Sequence, residues 1–93
     1  MALPEVVVYW DANWGGDSFR TKLDINYVGD EWNDQISSIV VVSGTWQFFE
    51  NANFGGAASN LLGPGYYSFV ENSDVNIAND SISSFKIVSF DPV

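Results

Sequence analysis

Two hexapeptides carry side chains suited to metal chemistry: Asn-Asp-Gln-Ile-Ser-Ser at Asn33 to Ser38 and Asn-Asp-Ser-Ile-Ser-Ser at Asn79 to Ser84. Each packs carboxylate, amide, hydroxyl and carbonyl oxygens into one short polar turn, directly ahead of a β-branched or aromatic run. Hard oxygen donors held twice by rigid elements suit a hard cation. The alternative is that both hexapeptides only form turns, which Asn, Asp and Ser dominate in any case. Repetition favours the first reading, because a mere turn has no need to repeat Asn-Asp-x-Ile-Ser-Ser.

Other chemistries lack their residues. The chain has no His and no Cys, which removes the usual zinc ligand, the usual general base and the Ser-His and Cys-His nucleophile arrangements. Twelve acids against three bases give a net charge of −9, so phosphate backbones and anionic membranes are repelled and the folded chain repels itself until something cationic binds. No nucleic-acid partner and no membrane insertion are expected, since no run approaches the roughly 20 apolar residues of a membrane span. Residues Met1 to Trp10 lack the basic start and apolar stretch of a signal peptide. The compartment stays open, with an extracellular or cell-surface location applying if the chain is a domain of a longer secreted protein.

The elements that must position the hexapeptides are also duplicated. Tyr9-Trp-Asp-Ala-Asn-Trp-Gly-Gly16 is echoed by Phe48-Phe-Glu-Asn-Ala-Asn-Phe-Gly-Gly56. Tyr9 and Phe49 are 40 residues apart and Asn33 and Asn79 are 46 apart, so the order is kept and the second copy carries an insertion of about six residues. Strands are expected at Glu5 to Trp10, Ile36 to Val42, Thr45 to Phe49 and Ile82 to Phe90, all rich in Val, Ile, Phe, Tyr and Trp and bounded by Gly, Asn, Asp and Ser. No segment has a helical period. Ile39 and Val41 match Phe85 and Ile87 while Val40 matches Lys86, which places the first set toward the core and Lys86 toward solvent. Ser43-Gly44-Thr45 is too short for a flexible linker, so both halves should share one core. Gly63-Pro64-Gly65 reads as a turn into a strand, with a buried tyrosine whose hydroxyl must find a partner.

These residues resemble the βγ-crystallin superfamily, specifically its microbial calcium-binding members, over essentially the whole chain. The family's Greek-key signature of an aromatic, a second aromatic and a required glycine is met by Tyr9, Trp14 and Gly16 and again by Phe49, Phe54 and Gly56. Its polar motif, two Asn or Asp, two variable residues, Ser or Thr, then Ser, is met by both hexapeptides. Four hits in alternating order make the resemblance specific. It implies an all-β fold of two Greek keys forming a β-sandwich, one domain over residues 1–93, with the first key about 4–43 and the second about 44–91. The required glycines agree with physics, since a folded-over hairpin needs a positive φ that Gly16 and Gly56 tolerate.

The resemblance also implies roles. Ser37 and Ser83 resemble the hydroxyl ligands, Gln35 and Ser81 would supply backbone carbonyls, and Asp34 and Asp80 would each reach across to the ion held mainly by the other motif. The remaining carbonyl maps onto Trp10 in the first copy and Glu50 in the second. An acidic residue is common at that place, so the site containing Trp10 is expected to be the weaker. Asn33 and Asn79 are expected to brace their loops through side-chain to backbone hydrogen bonds rather than to bind metal. Neutral and flexible oxygens suit calcium at six to eight coordination better than magnesium. With about one carboxylate per ion, affinity is expected on the order of 10⁻⁶ to 10⁻⁴ M. The expectation is therefore a monomeric, non-enzymatic module that binds two Ca2+ per chain, mainly as staples on a small, cysteine-free sandwich. The alternative is a surface interaction module of the same fold, of carbohydrate, adhesion or inhibitor type, in which calcium is incidental. Trp10, Trp14, Trp32 and Trp46 are expected in core and hairpin packing rather than as a sugar platform.

Overall fold

The computed structural model describes residues 4–89. Among the described residues seven strands, β1 (Glu5–Asp11), β2 (Gly15–Thr21), β3 (Ser38–Ser43), β4 (Thr45–Asn51), β5 (Gly55–Ala58), β6 (Gly65–Tyr67) and β7 (Ser84–Ser89), form two antiparallel sheets. One sheet runs β2-β1-β3-β6 and the other β5-β4-β7. The four expected strands are present with shifted ends. β3 starts at Ser38 rather than Ile36 and β7 at Ser84 rather than Ile82, because Ile36 and Ile82 leave the ladder and sink fully into the core. The expected end at Phe90, like residue 91 of the second key, lies outside the described residues.

Two strands that composition hides are β2 and β5. Their sequences, Gly-Gly-Asp-Ser-Phe-Arg-Thr and Gly-Gly-Ala-Ala, are largely exposed and poor in strand formers. Pairing with β1 and β4 makes them strands. The hairpins fold over through short 3₁₀ turns at Ala12–Trp14 and Ala52–Phe54. In each, an Asn and an aromatic take left-handed φ near 60° and the following glycine has φ 72° at Gly16 and 74° at Gly56, as the repeated glycines require.

The halves interlock. β6 comes from the second half yet closes the sheet of the first, pairing Ile39 with Tyr67. Its counterpart Ile25 bridges Phe85 in the other sheet, with Ile25 N–H to Phe85 O at 2.9 Å and Phe85 N–H to Ile25 O at 3.0 Å. Ile25 and Tyr67 are 42 residues apart, so about two of the six inserted residues precede this strand and about four follow it. The crossing explains why neither half has a core alone. Val6, Val8, Ile36, Ile39 and Val41 pack with Trp46, Phe48, Leu62, Val70, Val75, Ile77, Ile82 and Phe85 in one buried cluster. Phe85 sits at its centre, its ring 4.9 Å from Phe48, 5.9 Å from Trp46 and 6.3 Å from Phe19 of the first half. Burying a side chain of that size contributes about 1.5–3 kcal/mol. The inward assignment of Ile39, Val41 and Phe85 holds, and Ile87 packs against the same cluster.

Three tryptophans pack as anticipated. Trp46 is fully buried and donates to Ser43 O at 3.0 Å. Trp10 and Trp32 meet edge to face at 5.3 Å. Trp14 caps its hairpin, with Nε1 donating to Ile39 O at 3.1 Å. It keeps 38% exposure and pairs with Tyr66 at 5.9 Å rather than with Tyr9, whereas Phe49 and Phe54 of the second hairpin do contact each other, at 5.8 Å. Lys86 lies on the outer face with its ammonium 5.5 Å from both Phe49 and Phe54. The tyrosine at the Gly-Pro-Gly turn is Tyr67: half-buried, it donates to Gly63 O at 2.7 Å, while Tyr66 is 76% exposed.

Candidate metal centre

Each polar hexapeptide lies between a bulge in one strand and a loop from the other half. The ladder of β1 with β2 pairs Tyr9 with Ser18 and then Asp11 with Gly15, skipping Trp10; that of β4 with β5 pairs Phe49 with Ala58 and then Asn51 with Gly55, skipping Glu50. Trp10 and Glu50 are thus bulge residues without a register partner, and bulges commonly re-aim backbone groups. The next contact brings the hydroxyl candidates alongside: Ser37 N–H donates to Tyr9 O at 3.0 Å and Ser83 N–H to Phe49 O at 2.9 Å. The carbonyls of the same serines are held by the opposite half, Ser37 O accepting from Val70 N–H at 2.9 Å and Ser83 O from Val28 N–H at 2.9 Å. Ser37 and Ser83 are buried, each 6% exposed.

The second residue of each motif meets the other motif, Asp80 through its carboxylate and Asp34 through its backbone N–H. Asp34 and Asp80 take left-handed backbone, φ 61° and 59°, which Asp tolerates better than most side chains. Asp34 N–H donates to Ile82 O at 3.2 Å, which seats it beside the second hexapeptide. Asp80 Oδ1 lies 3.4 Å from Ser37 Oγ. That separation is long for an O–H···O hydrogen bond, whose usual range is about 2.5–3.0 Å. It does suit two oxygens that share a calcium ion at about 2.4 Å each. Gln35 sits in the first turn with its N–H on Trp32 O at 3.1 Å, and Ser81 in the second with its hydroxyl on Ala78 O. Among the described residues no three carboxylates converge, so any ion here would be held by neutral oxygens and about one carboxylate. The donor chemistry fits calcium and does not fit a transition metal.

Two motif positions behave differently from expectation. Asn33 does not brace its own backbone: its Oδ1 accepts the hydroxyl of Ser83 in the other half, and its Nδ2 lies 3.4 Å from Asp34 Oδ2. Asn79 has its backbone N–H on Glu71 Oε2 at 2.9 Å, and its side-chain Oδ1 is buried without a partner. The sixth residues, to which the sequence reading assigned no role, lock the hairpins. Ser38 Oγ accepts from Trp14 N–H at 2.9 Å and donates to Asp11 O at 2.6 Å; Ser84 Oγ accepts from Phe54 N–H at 3.0 Å and donates to Asn51 O at 2.6 Å. Both are fully buried. The signal was present, since position six is Ser in both copies while position three changes from Gln to Ser.

Comparison with known proteins agrees with this architecture. The Beta/Gamma crystallin family matches residues 5–88. A βγ-crystallin from an archaeon is 48% identical, with a TM-score of 0.85, covering 94% of this chain and all of that one. A curated Beta/gamma-crystallin of Ciona intestinalis is 35% identical over 66 residues, 68% of this chain and 75% of that protein. A clostrillin double mutant solved in complex with nickel is 30% identical with a TM-score of 0.73, covering 91% of this chain and 98% of that one. With two sheets, crossed halves and a family match over nearly its whole length, the chain belongs to the beta/gamma crystallin family.

Proposed function

We propose that this chain is a calcium-binding module with two sites, whose ions clamp the two halves together. One site would draw on the carbonyls of Trp10 and Gln35, the Ser37 hydroxyl and the Asp80 carboxylate. The other would draw on the carbonyls of Glu50 and Ser81, the Ser83 hydroxyl and the Asp34 carboxylate. The observation that carries the reading is the 3.4 Å approach of Ser37 Oγ to Asp80 Oδ1 across 43 residues of sequence, beside a bulge that frees Trp10 from the ladder. A bound ion would supply positive charge between two acidic loops, and these residues would orient it and hold the loops closed. With no His and no Cys in the sequence, the usual general base and the Ser-His and Cys-His pairs are missing, which favours a binding module over an enzyme. The nickel in the clostrillin double mutant does not transfer, because the two residues changed there became histidine and this chain has none.

Calorimetric titration of metal-free protein tests the reading, with magnesium as the control. Two equivalents of calcium and weak or absent magnesium heat are expected; no heat, or a single equivalent with no second site at millimolar calcium, refutes the two-site clamp. A second reading, an interaction module in which calcium is incidental, draws support from Tyr66, 76% exposed, against Trp14 on the outer face of the first sheet. Under that reading calcium would leave the melting temperature unchanged.

A further inference from the structure

The two motifs are alike in sequence, but their hydroxyls point to different acceptors. A serine hydroxyl has one hydrogen and two lone pairs. To ligate a cation through a lone pair it must aim its hydrogen elsewhere, at an acceptor that is not itself bound to the ion. Ser83 already does so: its hydrogen goes to Asn33 Oδ1 of the opposite half. Ser37 does not: the acceptor it faces is Asp80 Oδ1 at 3.4 Å, too far for a good hydrogen bond, and that carboxylate would share its ion. The residue equivalent to Asn33 is Asn79, whose Oδ1 is buried and without a partner, and whose backbone is pinned by Glu71.

Resting on the calcium reading above, we propose that Asn33 and Asn79 are positioning residues that take the serine hydrogen across the two halves, Asn33 permanently and Asn79 only when an ion takes up the Asp80 carboxylate that Ser37 faces. The Ser83 site is preset, and the Ser37 site needs a hydroxyl swing before it can be filled. The Ser83 site therefore fills first. The swing also gives the unpartnered amide oxygen a purpose: it is a receptor held ready for a hydrogen that arrives with the metal. The same asymmetry agrees with the expectation from the family resemblance that the site containing Trp10 is the weaker.

The two asparagines then differ in a way that a shared structural role would not produce. In chelator, Asn33→Ala loses a hydrogen bond that is made and leaves Ser83 without its acceptor, so its melting temperature falls by several degrees. Asn79→Ala removes an acceptor that has no donor, so its melting temperature in chelator stays the same or rises. With calcium the order changes. In a Ser83→Ala background, where only the Ser37 site remains, Asn79→Ala weakens calcium binding about five- to tenfold, the worth of one hydrogen bond, and Asn79→Asp, which restores an acceptor, recovers it. Titrations of Ser37→Ala and Ser83→Ala read the filling order, the first losing the weaker class of site and the second the tighter. If wild-type protein takes up no calcium, the calcium reading falls and this inference with it. If wild-type binds two ions while Asn79→Ala binds as tightly as its parent, or melts well below it in chelator, the positioning role alone is overturned.

Discussion

Ser37 and Ser83 have the same backbone neighbours and different hydroxyl partners, and at the scale of single residues this sets what each substitution does. Ser37→Arg removes one oxygen from the Trp10-side site and puts a permanently charged guanidinium where a cation is proposed to sit. Loss of that site with retention of the other is the expected outcome. Asp80→Ala is expected to weaken the same site, although Asp80 belongs to the other half of the chain. Titration of the two single variants and the double variant checks this. A double variant no worse than Ser37→Arg supports a shared site, whereas additive losses at two different sites refute the crossing.

At the scale of elements, the hairpins and the Gly-Pro-Gly turn hold the loops in place. A methyl group added at Gly16 would lie 2.8 Å from Asp11 Oδ2 and 3.1 Å from Trp10 Cβ, on a backbone with φ 72°. The left-handed backbone alone costs about 1–2 kcal/mol for a residue with a Cβ, and the contact with Trp10 pushes on the bulge. Gly16→Ala is expected to lower the melting temperature by roughly 5–15 °C, read by thermal unfolding, and to weaken the Trp10-side site more than the other. Tyr67 anchors the second turn, and its phenol is raised above the ordinary tyrosine range, first by burial and then by the charge of Asp74. Because the folded state disfavours the phenolate, its contribution is complete below the unfolded pKa of about 10 and is lost as pH rises through the folded value. Stability measured by denaturant titration should fall above about pH 10 in the wild type, and less in Tyr67→Phe, which instead loses the bond to Gly63, about 1 kcal/mol at neutral pH.

For the whole molecule, net charge decides how much a bound ion matters. At −9, and with Asp34 and Asp80 set across the boundary between halves, repulsion opposes closure in the metal-free chain. Two calcium ions would reduce the formal charge to about −5, and mass action adds about 2.7 kcal/mol per site at about 100 times the dissociation constant. Two independent sites would give about 5 kcal/mol, enough to raise the melting temperature of a domain this size by roughly 20 °C or more. Sodium chloride only screens the repulsion and should recover a small part. Melting followed by tryptophan fluorescence in chelator, in matched sodium chloride, and in millimolar calcium or magnesium reads the difference. Coincident sodium and calcium curves would remove the staple role and favour the interaction module.

The sequence by itself determined the duplication, the all-β class, the four apolar strands, the glycines of the two hairpins and the inward face of β3 and β7. These follow from composition, period-two patterning and repetition, all of which are local properties. It also marked the two hexapeptides, because six residues repeated in order are visible without a fold. Tertiary structure decided the rest. β2 and β5 are strands only because β1 and β4 offer them a ladder, since Gly-Gly-Ala-Ala has no strand preference of its own. The exchange of β6 and Ile25 between sheets is a long-range pairing that no local pattern encodes. Nor could repetition reveal that Asn33 finds Ser83 while Asn79 finds no donor. A hydroxyl hydrogen chooses its acceptor by distance in three dimensions, and two motifs that differ only at their third residue sit in different surroundings.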